Sequence, residues 1–227
     1  LTAGAGQVNH AAMRMRDSRP TPSFDLEGVE LELGGGPIVG LDEAGRGPWA
    51  GPVVAAAVVL DPDMLPSGID DSKVLDEDAR EIAFARIMAT SRDVGIGVAD
   101  VGRIDRDNIL SATLWAMAQA VAQLANPPRL ALVDGNRAPR LGCATRTIVK
   151  GDAKCLSIAA ASIVAKVTRD RLMISLASDF PGYGFERHKG YGTPEHKEAL
   201  RRLGVTAHHR RSFRPVQLAL GLQEPEM

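Results

Sequence analysis

Four acidic residues occupy positions where chemistry is easily assembled. Asp42 and Glu43 end an apolar run (Ile38, Val39, Leu41), Asp134 ends another (Leu130 to Val133), and Asp152 stands where a helix begins, each with glycine close by. In an open sheet, ligands collect at strand ends. Clustered carboxylates repel one another and call for a cation, and all-oxygen donors select Mg²⁺ or Mn²⁺ over zinc. Two such ions about 4 Å apart can activate a water and stabilise the leaving oxygen of a phosphodiester. Helix caps and turns are the plainer use of aspartate. That use is favoured for Asp152 taken alone, whereas for Asp42-Glu43, at the end of a hydrophobic strand, the metal site leads. Neighbours on a regular strand face opposite sides, so the pair reaches one ion only if the pleat breaks, which Gly45 and Gly47 permit.

Around these acids lie groups suited to a nucleic acid. Gly45-Arg46-Gly47 can bring backbone donors close to a sugar hydroxyl or a phosphate, although a glycine turn alone is a weak signal. Ser72-Lys73 is either a phosphate contact or a solvated loop. Tyr183, Phe185 and Tyr191, interleaved with Arg187, His188 and Lys189, match base stacking combined with phosphate contacts, and a buried aromatic corner is an equal rival for Tyr183 and Phe185. His208 and His209 have no zinc-like partner spacing and are expected to face solvent or a phosphate.

The elements that must position these groups follow from pattern. Strands are expected over Pro37–Asp42 and Val53–Leu60, joined as an antiparallel pair by a tight glycine-rich connection, with a third over Val94–Val101. A helix starts after Asp76 behind an acid-rich first turn. Asn108 caps a longer one, with an apolar face of Leu110, Leu114, Met117, Val121 and Leu124. Leu130–Val133 is a buried strand and Arg146–Val149 a short one. A long helix carries Ile158 to about Ala177, Phe180–Gly192 is a loop, and Thr193-Pro194 opens a further helix to about Leu203. Residues 1–36 lack sustained periodicity and are expected to form a loose tail, ordered from near Phe24. Strands with interspersed helices, then helices alone, give an α/β core with a helical C-terminal appendage.

Composition excludes several classes. Two cysteines without a C-x-x-C pair argue against a disulfide framework or a zinc knuckle. The longest apolar run, about eight residues, is well short of a membrane helix. The N-terminal stretch has no hydrophobic region of the secretory type, so a reducing cytoplasm is the expected home. The net charge of −1 hides an asymmetry: residues 150–214 hold 13 Lys and Arg against 6 acids, and residues 1–149 hold 14 against 20. A basic C-terminal third beside an acidic remainder suits a polyanion binder with a carboxylate metal site, and solvated helix faces also produce such a bias.

Together, G-L-D-E-A-G-R-G-P-x-x-G-P-V, D-D-S-K, V-D-G-N, G-D-A-K, A-A-A-S-I-V-A-K-V-T-R-D, Y-G-F-x-x-H-K-G-Y-G-T and H-R-R-S-F closely resemble the bacterial ribonuclease HII family, in order from about Pro37 to Val216. The resemblance implies an RNase H-like mixed five-stranded sheet flanked by helices. It also implies a catalytic core at 24–180 and a C-terminal substrate-binding region at 181–227, while residues 1–23, expected to form a flexible tail, lie outside it. The implied activity is metal-dependent cleavage of the RNA strand of RNA–DNA hybrids. Incision 5′ of single ribonucleotides in duplex DNA is implied too, leaving 3′-hydroxyl and 5′-phosphate ends, by a cytoplasmic monomer that uses Mn²⁺ or Mg²⁺. Carried onto this chain, Asp42, Glu43, Asp134 and Asp152 are the metal-binding catalytic acids. Gly45, Arg46 and Gly47 read the 2′-hydroxyl, Ser72 and Lys73 contact backbone phosphate, and Tyr191 stacks at the RNA–DNA junction. Two rivals remain from the residues: a non-catalytic hybrid-binding protein, and another nuclease of the same fold such as a Holliday-junction resolvase.

Overall fold

A computed structural model of the chain describes residues 21–70, 72 and 75–222. Its centre is a five-stranded mixed sheet in the order β3-β2-β1-β4-β5. The strands are β1 (Ile38–Ala44), β2 (Val53–Val59), β3 (Asp93–Ala99), β4 (Leu130–Asp134) and β5 (Ala144–Ile148). β1 runs antiparallel to β2 and parallel to β4, and β4 runs parallel to β5. The expected β1–β2 hairpin is therefore present, and β1 and β4 end side by side at the same edge.

Helices cover both faces. On one side α4 (Ile109–Ala122) packs Ala112, Ala116 and Ala120 against Val39, Leu41, Val53 and Val133. On the other, α2 (Glu77–Thr90) and α5 (Leu156–Asp179) bury Ile87, Ala160 and Val164 against Ala56 and Val58. α5 lies very close to the sheet because of Gly40, where a Cβ would fall 2.2 Å from the Ser157 carbonyl carbon. Asp76 and Asn108 cap α2 and α4 as their spacing predicts, accepting from the N–H of Ala79 and Ser111. Beyond the core come α6 (Phe185–His188), α7 (Pro194–Leu203) and α8 (Arg214–Ala219), the helical C-terminal portion.

Several expectations need correction. Order does begin near Phe24, but as a helix that the lack of periodicity did not reveal, α1 (Asp25–Gly34), whose buried residue is Glu27. The third strand stops at Ala99, and Asp100, accepting from the Arg103 N–H, starts an unforeseen α3 (Val101–Asp107). Within the expected loop after Phe180 lies the single turn of α6. Tyr183 and Phe185 are buried and stacked on each other, so the aromatic-corner alternative holds for both.

Candidate active site

Register brings the acids together. β1 and β4 pair in parallel through Leu41 and Val133, so the next residues, Asp42 and Asp134, end adjacent strands on the face that α5 covers. Asp152 sits in a 3-10 turn (Gly151–Ala153) just before α5. That turn is fastened to the strand end by the Gly151 N–H, which donates to Asp134 Oδ1 at 2.7 Å. Asp152 does not cap α5: its N-cap is Cys155, without a side-chain capping bond. The β1–β2 ladder continues unbroken past Asp42↔Ala56 and Glu43↔Ala55 to Ala44. The pleat therefore does not break at the acids. Asp42 points toward α5, and Glu43, beside Arg46 (Nη1 3.3 Å from Glu43 Oε1), still lies close enough to add its charge to that of Asp42, so the pair meets at the strand end without a break in the pleat.

The electrostatics reflects the same proximity. The buried Asp42 carboxyl is held well above the usual carboxylate range, first by burial, then by the charges of Glu43 and Asp134, and also by that of Asp152. One bond from the Glu43 N–H to Asp42 Oδ1, at 2.7 Å, offsets this in part. Among the described residues, no three such side chains already close into a finished metal cage. The donor set nonetheless fits a hard divalent ion: oxygen ligands only, with a buried carboxyl that three neighbouring acids disfavour as an anion.

Beside the acids, a cavity of about 230 Å³ is lined by Glu43, Gly45-Arg46-Gly47, Ser72, Ser162, Lys166, Arg169 and Tyr191. Ser72 is buried with its hydroxyl 2.7 Å from that of Ser162. Lys73 lies outside the described residues. Tyr191 is 46% exposed, and a Cβ on Gly47 would lie 3.7 Å from its ring. Lys166 is bound to both oxygens of Asp170, at 2.7 and 2.5 Å. Burial lowers its ammonium pKa, and Asp170 works against that shift.

Sequence reasoning passed over the residues that shape the glycine loop. Arg210, fully buried, donates to the carbonyls of Gly51 (3.0 Å), Arg46 (2.9 Å), Gly45 (2.5 Å) and Pro52 (3.2 Å). Arg169 donates to those of Pro52, Lys189 and Ala50. Gly45 has φ +99°, and a Cβ there would fall 2.0 Å from Arg169 Nε, so only glycine fits. In a trans peptide the N–H points opposite to the C=O. Turning the Gly45 and Arg46 carbonyls inward to Arg210 therefore turns the N–H groups of Arg46 and Gly47 outward. Ser162, Lys166 and Arg169 recur at four- and three-residue spacing, which places them on one face of α5. His209, expected at the surface, is fully buried, whereas His208 is half-buried against Phe180.

Comparison with known proteins agrees with this geometry. Residues 39–216 match the family model described as Ribonuclease HII. Ribonuclease HII of Azorhizobium caulinodans is 58% identical over 206 residues, 90% of this chain and 79% of that one. That of Bradyrhizobium diazoefficiens is 57% identical, covering 89% and 77%. Among solved structures, ribonuclease H2 of Pyrococcus horikoshii superposes with a TM-score of 0.68 at 26% identity, over 81% of this chain and 96% of that one. RNase HII of Archaeoglobus fulgidus, solved in complex with PCNA, gives 0.65 at 27%, over 77% and 93%.

Proposed function

The chain belongs to the ribonuclease HII family, and from that premise we propose that it cleaves the RNA strand of RNA–DNA hybrids and incises duplex DNA 5′ of a single embedded ribonucleotide. The ends left are a 3′-hydroxyl and a 5′-phosphate, and the cellular task is ribonucleotide excision repair in the cytoplasm, performed by a monomer. It is a type 2 ribonuclease H, an endonuclease. The observation that carries the finer proposal is the gathering of Asp42, Glu43, Asp134 and Asp152 beside a glycine loop whose carbonyls are turned inward.

In this proposal the four carboxylates hold divalent cations, Mg²⁺ or Mn²⁺. Bound there, such ions supply an activated water and neutralise charge on the scissile phosphate. The chain's own groups do the recognition. Outward N–H groups of Arg46 and Gly47 meet the ribose 2′-hydroxyl, the group by which RNA differs from DNA. Ser72, Lys73 and Lys166 take backbone phosphate, and Tyr191 stacks at the RNA–DNA junction. The core at 24–180 carries the chemistry and the region at 181–227 grips the duplex. Arg210 joins the two by fixing the loop from the C-terminal side. Contacts to phosphate rather than bases give salt-sensitive binding with little sequence preference.

The test is a DNA duplex carrying one ribonucleotide, incubated with and without Mn²⁺ or Mg²⁺, with the cut mapped and its ends identified. A metal-dependent cut on the 5′ side of that nucleotide is expected. No cut there with either ion would overturn the proposal.

A further inference from the structure

Beneath Tyr191 runs a chain of buried polar contacts for which the cation site has no use. The Thr206 N–H donates to His209 Nδ1 at 3.0 Å, and the Thr206 hydroxyl lies 2.8 Å from the same nitrogen. His209 Nε2 is 3.0 Å from His196 Nε2, and His196 Nδ1 is 2.9 Å from the Tyr191 carbonyl oxygen. The two ends of this chain fix every proton in it. A carbonyl only accepts, so His196 Nδ1 carries hydrogen and its Nε2 is bare. A backbone N–H only donates, so His209 Nδ1 is bare, and its Nε2–H donates to His196. One arrangement satisfies the whole chain, and both rings in it are neutral. Burial acts in the same direction, pushing His196 down to about 4 and His209 to about 3.

The chain ends on the backbone of one residue. The Tyr191 carbonyl also accepts from the Thr193 N–H at 2.8 Å, and the Tyr191 N–H donates to the His188 carbonyl at 2.8 Å. The backbone is thus clamped on both sides, while the ring projects half-exposed beside Gly47. The same C-terminal segment touches the glycine loop directly. Gly51 donates to the His208 carbonyl, Arg210 donates to the Trp49 carbonyl, and Trp49 donates to the Gly190 carbonyl. Ring and loop are therefore held in one frame, and the histidine pair fixes the ring's side of it.

We propose that His196 and His209 are positioning residues that set the Tyr191 ring against the Gly45-Arg46-Gly47 loop, and thereby set the preference for an isolated ribonucleotide over a continuous RNA–DNA hybrid. The proposal rests on Tyr191 as the stacking surface at the junction. A displaced ring costs most where a deoxynucleotide must stack next to the single ribose. It costs least where the substrate is uniform along its length.

The test compares kcat/KM on the two substrates for the full chain and for His209→Leu, His209→Gln, Thr206→Val and Tyr191→Ala, with thermal melting of each. His209→Leu is expected to lower isolated-ribonucleotide incision about tenfold relative to hybrid cleavage. His209→Gln, whose amide can donate to His196 and accept from Thr206, is expected to recover most of that loss. Thr206→Val shifts the ratio the same way by less. A purely structural role predicts equal losses on both substrates, tracking the folded fraction. A folded His209→Leu with the wild-type ratio overturns the proposal, and if that variant does not fold, an unchanged ratio in Thr206→Val does so. A wild-type ratio in Tyr191→Ala instead removes the stacking role on which it rests.

Discussion

At the strand ends, Asp42 is buried among Glu43, Asp134 and Asp152, and burial first, then these like charges, raise its carboxyl pKa. Three residues further along the same segment the situation reverses. The carbonyls of the glycine loop accept from two buried guanidiniums, Arg169 and Arg210. Burial lowers the pKa of Arg210 to about 9, with the neighbouring Arg169 charge adding to the shift. In the first region repulsion stands unrelieved, and the proposed function gives a bound ion the task of relieving it. In the second, polar atoms are matched within the chain, and shape is what the matching secures. A repelling carboxylate cluster and a matched scaffold thus sit side by side with opposite responses to added charge.

The sharpest way to break the comparison is Asp42→Asn. Cleavage is expected to be abolished with duplex binding retained, and the metal-free protein is expected to melt higher because one repelling charge is gone. Each ~1 kcal/mol released raises the melting temperature of a domain this size by about 2–4 °C. Near-normal turnover would remove Asp42 from the chemistry. Next in size is Arg210→Lys. A compact ammonium cannot fork to four carbonyls, and stranding them is expected to cost about 3–5 kcal/mol in urea unfolding. A variant as stable as the parent would show that the loop holds its shape without the guanidinium.

Acidity separates the two regions by sign. His196 and His209 have depressed pKa values in the fold, so their contribution is present above the ordinary histidine value. It is lost as pH falls from about 6.5 through 4 toward 3. Asp42 is raised, so its contribution is present in acid and is lost as pH rises through its folded value. Melting of metal-free protein should therefore lose its acid-side fall in part in His209→Gln, and its rising-pH loss in Asp42→Asn. Identical profiles in all three proteins would contradict the assignment. The smallest effect expected is that of Glu27→Ala. Glu27 Oε1 accepts from the Ser157 N–H (2.8 Å) and hydroxyl (2.6 Å), a remote cap for α5. Its loss should cost about 1–3 kcal/mol, with melting the measurement.

What the sequence discloses divides along similar lines. β1, β2 and β4 are legible because apolar runs bounded by glycine and proline leave few alternatives, and the acids at their ends stand out by contrast. α1 is legible only as order from near Phe24, because its anchors are a buried glutamate, Glu27, and two leucines, Leu26 and Leu31, that form no sustained helical stripe. α3 is short, and its cap, Asp100, comes to light only in the structure. Asp152 reads locally as a cap, and only the tie between Gly151 and Asp134 places it with the other acids. The roles of Arg210, His196 and His209 escape pattern reading. Polar side chains are assigned to the surface by default, and their buried acceptors are backbone carbonyls or each other, which leave no mark on composition.

The most direct measurement is a Mn²⁺ titration followed by thermal melting, on the full chain and on Asp42→Asn. With Asp42, Glu43, Asp134 and Asp152 forming one cation site, saturating Mn²⁺ raises the melting temperature of the parent by several degrees and that of Asp42→Asn far less. An equal rise in both proteins, or none in the parent, would contradict it.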